Sequence, residues 1–149
     1  MRLIRKSPEP KVLVQYRALP NARYDHLEIA DKASVRAVLV RDQGGLCCYC
    51  MKSIRGVPST VRIEHWKSQS KHPHFDLEWA NLFAACPGNE GAPREDQYCD
   101  VRKGDRDIVI SPLEAKHVAS LGYTGAGELR STDEALQRDI DDALNLNHK

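Results

Sequence analysis

The chain has 149 residues, of which 41% are hydrophobic, 29% are charged and 6% are aromatic, and its formal net charge is +1 at pH 7. These values are typical of one folded domain and exclude wholesale disorder, and no apolar run is long enough to cross a membrane. The net charge hides an asymmetry, because residues 1–76 contain 14 Lys and Arg against 7 Asp and Glu, whereas residues 77–149 contain 8 against 14. A basic N-terminal half could contact a nucleic-acid backbone, although ordinary solvated surface explains the same charges.

Residues 1–45 are expected to form an extended segment followed by an amphipathic helix. The N-terminus has charges and prolines but no apolar stretch of a signal peptide, so a cytoplasmic location is expected. Residues 11–17 could form a short strand or a helical turn, and apolar residues recur at helical spacing over residues 24–43, before a glycine pair. The polar face of this helix could contact DNA, although a solvated face is the commoner role, through Lys32, Arg36 and Arg41.

Residues 46–110 contain nearly all of the unusual chemistry. Residues 61–66 and 81–86 are patterned as two strands, and a polar loop joins them. A short helix is expected to begin near Asp100 and to end at Gly104.

Residues 111–149 are expected to form a tail with one helix. A short strand is predicted at 108–110, just before this tail, and three glycines mark turns within it. Residues 131–144 predict a helix with Ser131 or Thr132 as its N-cap.

Five cysteines in a chain without an export signal favour metal binding or chemistry over disulfides. Cys47 and Cys50 have the C-x-x-C spacing of a zinc knuckle, whose tight turn directs two thiolates at a tetrahedral Zn²⁺. Cys86 and Cys99 could supply the other ligands if the Gly- and Pro-rich loop between them closes, and Cys48 is then left over. Buried free cysteines are the alternative. A redox motif and a deaminase zinc site are disfavoured, since the sequence shows neither a thioredoxin-like strand–helix unit nor a Pro-Cys-x-x-Cys motif.

A second group of polar residues lies between and beside the cysteines. His65, at the end of the first predicted strand, could take a proton from water, and Glu64 beside it offers a hard oxygen ligand for Mg²⁺ or Mn²⁺. Asp100 could complete that metal site, Asn81 could hold a loop through its amide, and Lys103 could meet a phosphate. The plainer alternatives are a half-buried hairpin histidine, a turn asparagine and an exposed ion pair between Asp100 and Lys103.

In this order, the motifs resemble the HNH family of ββα-metal nucleases with a zinc-knuckle scaffold. The resemblance is carried by residues 47–50, 63–66, 79–82, 85–86 and 99–104. A narrower subgroup, the HNH proteins of retron-associated and Septu-type anti-phage systems, is similar in further short motifs at residues 8–11, 16–18, 44–50, 111–113 and 144–147.

The resemblance implies an α+β fold with three parts. Residues 1–45 would form an N-terminal extended segment and helix, residues 46–110 a small ββα-metal (HNH) nuclease core stapled by a four-cysteine zinc site, and residues 111–149 a C-terminal tail with one helix. It implies that the structural Zn²⁺ is held by Cys47, Cys50, Cys86 and Cys99.

The resemblance also implies roles for the polar residues. His65 matches the general base, and Asn81 matches the residue that fixes the loop and orients that histidine. Glu64 stands where the family more usually has an Asp ligand, and Asp100 stands where many members have a final His or Asn. Both replacements keep oxygen donors for a catalytic Mg²⁺ or Mn²⁺, and Lys103 lies on the same short helix as Asp100. The implied function is a metal-dependent endonuclease that hydrolyses DNA phosphodiester bonds in bacterial anti-phage defence, beside an ATPase partner. A non-catalytic zinc-stapled module that binds nucleic acid or a partner, and an RNA-cleaving toxin, remain as alternatives.

Overall fold

The computed structural model describes residues 1–55 and 59–148, and within them the chain has a mixed α+β fold with two small antiparallel sheets. The α-helices are α1 (Lys11–Arg17), α2 (Ile29–Asp42), α3 (Cys99–Lys103), α4 (Ala115–Ala119) and α5 (Glu134–Arg138). The strands are β1 (Arg62–His65), β2 (Leu82–Ala85), β3 (Leu121–Tyr123) and β4 (Leu129–Ser131). Single turns of 3₁₀ or π-helix lie at Tyr24–His26, Pro73–Phe75, Trp79–Asn81, Arg94–Asp96 and Asp139–Ala143. None of the described helices combines the length and apolar character that crossing a lipid bilayer requires.

The central unit consists of β1, β2 and α3, as the sequence predicts. β1 pairs with β2 in a register that places Arg62 opposite Ala85 and His65 opposite Leu82. All four residues of β2 are buried, because the chain covers both of its faces. α3 ends at Gly104, whose φ of +53° lies in the left-handed region that glycine adopts without strain.

A buried glutamine extends the hairpin on the side of β2. Gln43, just after α2, donates to the carbonyl oxygen of Ala84 (2.7 Å) and accepts from the amide nitrogen of the same residue (2.8 Å). The cysteine loop adds a third contact, since the amide of Cys48 donates to the same Ala84 carbonyl at 3.0 Å. These bonds satisfy the amide and carbonyl of Ala84 in β2, which point away from β1. They therefore join the end of α2 and the cysteine loop to the hairpin.

Residues 1–10 form neither a helix nor a strand, and they pack against the core. The amide of Ile4 donates to the Pro112 carbonyl at 2.8 Å, and the Trp79 indole donates to the Ser7 carbonyl at 3.0 Å. Ile4 belongs to the same cluster of buried residues as the strands and the C-terminal turns, so a single core joins the N- and C-terminal segments.

Near the N-terminus the structure decides one open alternative and corrects one boundary. Residues 11–17, which the sequence left between strand and helix, form α1. The helix predicted over residues 24–43 begins only at Ile29, because Leu27 and Glu28 have extended ψ values of 133° and 150°.

The strand predicted at residues 108–110 is not formed. Ile108 and Ile110 are buried, but the amides of Val109 and Ile110 donate to the carboxylate of Asp139, at 2.6 and 2.8 Å, instead of to a strand. A side chain about 30 residues away thus satisfies the backbone that a sheet would otherwise pair.

The C-terminal helix is also shorter than predicted. Residues 131–144 divide into the end of β4, α5 and a π-helical turn, and the β3–β4 hairpin occupies a region where only turns were expected. The N-cap is Asp133, whose carboxylate accepts from two amides of the first turn, and Ser131 ends β4 instead.

Candidate functional site

Four of the five cysteines converge on one point. The Sγ atoms of Cys47, Cys50, Cys86 and Cys99 all lie within 4.8 Å of one another, so these residues could hold a metal ion. The Cys47–Cys99 and Cys50–Cys86 sulfur distances are 3.8 and 3.6 Å. Four thiolates at the usual Zn–S distance would be separated by about 3.8 Å, so the donor set and its spacing fit tetrahedral Zn²⁺. Cys48 is buried outside this group.

The electrostatics differ among the four clustered sulfurs. Hydrogen bonds from Cys48 and from the three other sulfurs of the cluster lower the pKa of Cys47, whereas hydrogen bonds from Cys47 and Cys50 raise the pKa of Cys86 and of Cys99. A thiolate, not a thiol, is the form that binds a metal ion, so Cys47 is the sulfur that the protein alone favours as a ligand.

Local backbone geometry assembles the four sulfurs. The Cys47 amide donates to the Lys52 carbonyl at 2.9 Å, which closes the knuckle around Met51 with its positive φ of 65°. Gly88, also at a positive φ of 55°, lies so close to the Tyr98 carbonyl oxygen that a Cβ would overlap it. The loop of residues 87–98 therefore closes through glycine, as the sequence required, and returns Cys99 to the cluster.

Glu64 contacts the cysteine motif through Tyr49 and is almost fully buried, with 2% of its surface exposed. Its Oε1 accepts a hydrogen bond from the Tyr49 hydroxyl at 2.7 Å and pairs with the Lys103 ammonium at 2.9 Å. Burial raises the pKa of Glu64 and the nearby charge of Asp100 raises it further, whereas Lys103 and Tyr49 act in the opposite direction.

Asp100 supplies the second carboxylate, one residue after the metal-site Cys99. Its Oδ2 accepts from Nε of Arg62 at 2.6 Å, and the same guanidinium contacts Glu90 at 2.6 Å. Two adjacent carboxyl groups, each now balanced by a side-chain cation, form a hard oxygen donor set. That donor chemistry fits Mg²⁺ or Mn²⁺ better than it fits Zn²⁺.

His65 ends β1 and is 7% exposed. Its Nε2 lies 3.0 Å from the Asp76 carbonyl oxygen, and the tautomer protonated at Nε2 makes this contact a hydrogen bond. Burial lowers the pKa of His65 to about 4, so the imidazole is neutral at pH 7. Among the described residues Nδ1 has no hydrogen-bond partner and is not fully enclosed, so it is left to accept a proton.

Asp76, the loop residue whose carbonyl contacts His65, is itself held by the N-terminal segment. The Asp76 carboxylate accepts from Nε of Arg23 at 2.6 Å and from the Tyr24 amide at 3.2 Å. The Tyr24 ring also meets the His65 ring edge-on, with centroids 4.4 Å apart. The position of the imidazole therefore depends on a segment about 40 residues earlier in the chain.

Asn81 fixes the loop after β1 with three hydrogen bonds. Its Oδ1 accepts from the Lys67 amide at 2.7 Å, and its Nδ2 donates to the carbonyl oxygens of Lys67 (3.0 Å) and Phe75 (2.9 Å). The loop that carries the Asp76 carbonyl is therefore tied at both ends to one side chain.

The predicted site residues do not all meet at one point. A cleft of about 230 Å³ is lined by Glu64, His65, Asp100 and Lys103, whereas Asn81 lines a larger apolar hollow of about 510 Å³ beside Trp66. Within residues 1–55 and 59–148, only the four cysteines form a group of three or more close metal-ligating side chains. The imidazole therefore does not join the two carboxylates in such a group.

The Lys103 side chain is buried, which the sequence did not indicate. Its side chain is 1% exposed, and its Nζ donates to the His65 carbonyl oxygen at 2.8 Å in addition to pairing with Glu64. The ammonium therefore faces protein oxygens, and neither an exposed ion pair with Asp100 nor a phosphate contact describes it.

Sequence reasoning missed several side chains that shape the cleft. Tyr49 lies inside the cysteine motif, and Arg62 shares a strand face with Glu64, so motif position and two-residue periodicity could have indicated both. Tyr24 and Asp76 carry no such signal, because they are 52 residues apart.

Comparison with known proteins gives one informative match. No family model matches the chain. Over 98 residues it is 30% identical to an Escherichia coli protein named "Retron Ec83 putative HNH endonuclease", a match that covers 59% of this chain and 38% of that relative. The matched region thus spans well under half of the relative's length. Together with the α+β fold and the four-cysteine cluster, this similarity supports an HNH family for the chain.

Proposed function

We propose that this chain is a metal-dependent HNH endonuclease that hydrolyses phosphodiester bonds in DNA. The observation that carries the proposal is the position of His65, anchored through Nε2 on the Asp76 carbonyl and sharing a cleft with the carboxyl groups of Glu64 and Asp100. The retron relative named as an HNH endonuclease supports the same reaction.

His65 would act as the general base. Its neutral Nδ1 accepts a proton from the water that attacks phosphorus. The Nε2–H bond to the Asp76 carbonyl fixes the tautomer and stabilises the imidazolium that results. Asn81 is a positioning residue in this scheme, because it holds the loop that bears this carbonyl.

Glu64 and Asp100 would hold the catalytic Mg²⁺ or Mn²⁺. When bound, such an ion supplies a Lewis acid that stabilises negative charge on the reacting phosphate. The Tyr49 hydroxyl and the Lys103 ammonium orient the Glu64 carboxylate, and Arg62 orients that of Asp100. We therefore assign Lys103 a positioning role instead of a contact with phosphate.

The four clustered cysteines would hold a structural Zn²⁺. Cys99 comes directly before Asp100, and Cys50 directly follows Tyr49, whose hydroxyl binds Glu64. The ion would therefore fix the backbone that positions both carboxylates.

We further propose a role in bacterial anti-phage defence. The resemblance to retron-associated and Septu-type HNH proteins and the retron relative support this role. An ATPase partner would then restrain the nuclease until infection, and the nuclease would act in the cytoplasm, where its DNA substrate lies.

A specific observation favours a second candidate, a zinc-stapled module that binds nucleic acid without cutting it. His65 is mostly buried against Tyr24 and does not join the carboxylates in a three-residue group. An RNA-cleaving toxin would use the same residues, so only the substrate separates it from the DNA nuclease.

Plasmid nicking tests the proposal. We expect the wild-type chain to nick supercoiled DNA with Mg²⁺ or Mn²⁺, and His65→Ala to lower the rate by about 100-fold or more, because the base is lost. The matched control is His72→Ala, which removes a half-buried histidine that pairs with Asp107 outside the cleft and should leave the rate unchanged. Circular dichroism and zinc content should be the same in all three proteins.

Each other outcome has a defined meaning. Nicking by His65→Ala at the wild-type rate would show that His65 is not the base. A wild-type chain that binds DNA without cutting it would support the binding module, and cleavage of RNA alone would support the toxin.

A further inference from the structure

Tyr24, in the turn before α2, connects the polar face of that helix to the cleft. The ring of Tyr24 contacts the His65 ring. The ammonium of Lys32, which lies on α2, is 5.0 Å from the centroid of the same Tyr24 ring. Lys32 also donates to the Asp25 carbonyl oxygen at 3.1 Å. A cation of α2 is thus separated from the candidate base by a single aromatic ring.

Arg36 continues this face by one helical turn. Residues four apart on an α-helix are offset by only about 40°, so the Lys32 and Arg36 side chains lie next to each other. Among the described residues Arg36 has no carboxylate partner, and its buried Nε makes no hydrogen bond. The terminal nitrogens of this half-buried guanidinium also have no acceptor among the described residues, so they are available to an anion.

The Tyr24 hydroxyl is available on the same side. It makes no hydrogen bond to any described residue, and burial raises its pKa to about 12, so it stays protonated as a donor. Arg36 exerts the largest opposing electrostatic effect on this hydroxyl, and Asp100 and Arg62 of the cleft also act on it. The Tyr24 ring, which carries this hydroxyl, contacts Lys32 of α2 and His65 of the cleft.

Other arginines in this part of the molecule are already neutralised. Arg23 pairs with Asp76, Arg62 pairs with Asp100 and Glu90, and Arg41 pairs with Asp42. Lys32 and Arg36 differ from these three because no carboxylate lies within ion-pair distance of them in the described chain.

We propose that Lys32, Arg36 and Tyr24 bind a backbone phosphate of the nucleic-acid strand, next to the phosphodiester held at His65. This inference rests on the proposed function and adds a substrate contact to it. Phosphate oxygens accept hydrogen bonds from guanidinium, ammonium and hydroxyl groups alike, and such contacts fix the register of the strand without reading its sequence. The Asp25 carboxylate, which accepts from Gln69 at 3.3 Å, belongs to the turn beside Lys32 and limits the attraction.

Equilibrium binding tests the inference without cleavage. Anisotropy of a short fluorescein-labelled DNA duplex is measured across a salt series with the His65→Ala chain and with the same chain carrying Arg36→Gln. We expect Arg36→Gln to weaken binding about fivefold, and the slope of log Kd against log salt to fall by about 1. Tyr24→Phe in the same His65→Ala background removes the hydroxyl and keeps the ring, and it should weaken binding about twofold.

The matched control is Arg41→Gln on the same helix. Arg41 lies about 140° around the helix from Arg36, and its guanidinium contacts Asp42 and Ser7, so binding should not change. In the otherwise wild-type chain, Arg36→Gln should raise KM for nicking and leave kcat unchanged, with melting temperatures the same for both arginine variants.

The possible failures are distinguishable. Equal DNA affinity of the Arg36→Gln and Arg41→Gln chains would overturn the phosphate site while leaving the nuclease intact. Binding of an RNA strand but not of the duplex, with the same loss for Arg36→Gln, would overturn the DNA substrate and support the site. Absence of binding to either nucleic acid would overturn both proposals.

Discussion

One hydroxyl group connects the two parts of the candidate site. Tyr49 is fully buried within the cysteine motif, and it donates to Glu64, which lines the cleft. Burial raises the pKa of Tyr49, and the charge of Glu64 raises it further, so the phenol remains a donor. The geometry of the knuckle is thereby coupled to the orientation of a carboxylate.

Removing this hydroxyl should destabilise the fold. Tyr49→Phe leaves a buried carboxylate oxygen without one of its donors, and we expect the free energy of unfolding to fall by about 1–2 kcal/mol in urea titrations with zinc present. Tyr16→Phe is the control, because its hydroxyl bonds the Arg23 carbonyl at an exposed position and should change stability by less than about 0.5 kcal/mol. Equal stabilities of the two variants would mean that the Tyr49 bond contributes nothing.

At this scale, the sequence identified residues whose chemistry is local. The C-x-x-C spacing and the Glu64–His65 pair are readable as short motifs, and the structure places them beside each other. Asp76 and Gln43 were not found, because their importance depends on backbone groups far away in sequence. Lys103 was found but misread, since nothing local shows that its ammonium is enclosed.

The knuckle and α3 are the elements that a metal ion would join. Cys50 comes from the knuckle, Cys86 follows β2 and Cys99 begins α3 with a positive φ of 56°. A non-glycine residue in this conformation is strained, and an ion at the four sulfurs would compensate for the strain. The ββα unit is too small to hold these elements by packing alone.

Loss of one sulfur ligand should therefore unfold the domain. We expect Cys50→Ser to purify without its zinc and to lose cooperative thermal unfolding, because structural zinc contributes on the order of 10 kcal/mol. Cys48→Ala removes a neighbouring cysteine that lies outside the cluster, and it should retain one zinc per chain. Elemental analysis and circular dichroism measure both. An unchanged melting temperature for Cys50→Ser would contradict the metal site.

Element prediction succeeded where local pattern and tertiary contacts agree. β1, β2 and α3 lie within about two residues of their predicted bounds, because strand patterning and a terminal glycine specify them locally. The predicted strand at 108–110 failed because a carboxylate from the C-terminal turns binds its amides. That competition cannot be read from the segment itself.

Across the whole molecule, the N-terminal segment contributes an unusual half-buried lysine at the edge of the core. The Lys6 ammonium lies over the rings of Trp79 and Phe83, 4.2 and 4.5 Å from their centroids, and it donates to the carbonyl oxygens of Trp79 and Leu82. Burial lowers the pKa of Lys6 from 10.5 to about 7, and the charge of Asp42 only partly opposes this effect.

This shift predicts the direction of the pH dependence of stability. Between pH 7 and pH 10.5 the unfolded chain keeps a proton that folded Lys6 releases, so the Lys6 contribution to the free energy of unfolding rises with pH over that window. Lys6→Met should reduce the rise seen in urea titrations between about pH 7 and pH 9. Lys11→Met, at an exposed position of α1, should preserve it. Parallel pH profiles for wild type and Lys6→Met would refute the assignment.

The direct succession of Cys99 and Asp100 has a consequence for how the protein matures. A newly made chain that has not taken up an ion at its thiols would also leave Asp100 unordered, since the same short helix carries Cys99 and Asp100. Uptake of the soft ion would then come before uptake of the hard one. On the proposed assignment of zinc to the thiols and magnesium to the carboxylates, a cell starved of zinc would accumulate an inactive form of this chain, whatever its supply of magnesium.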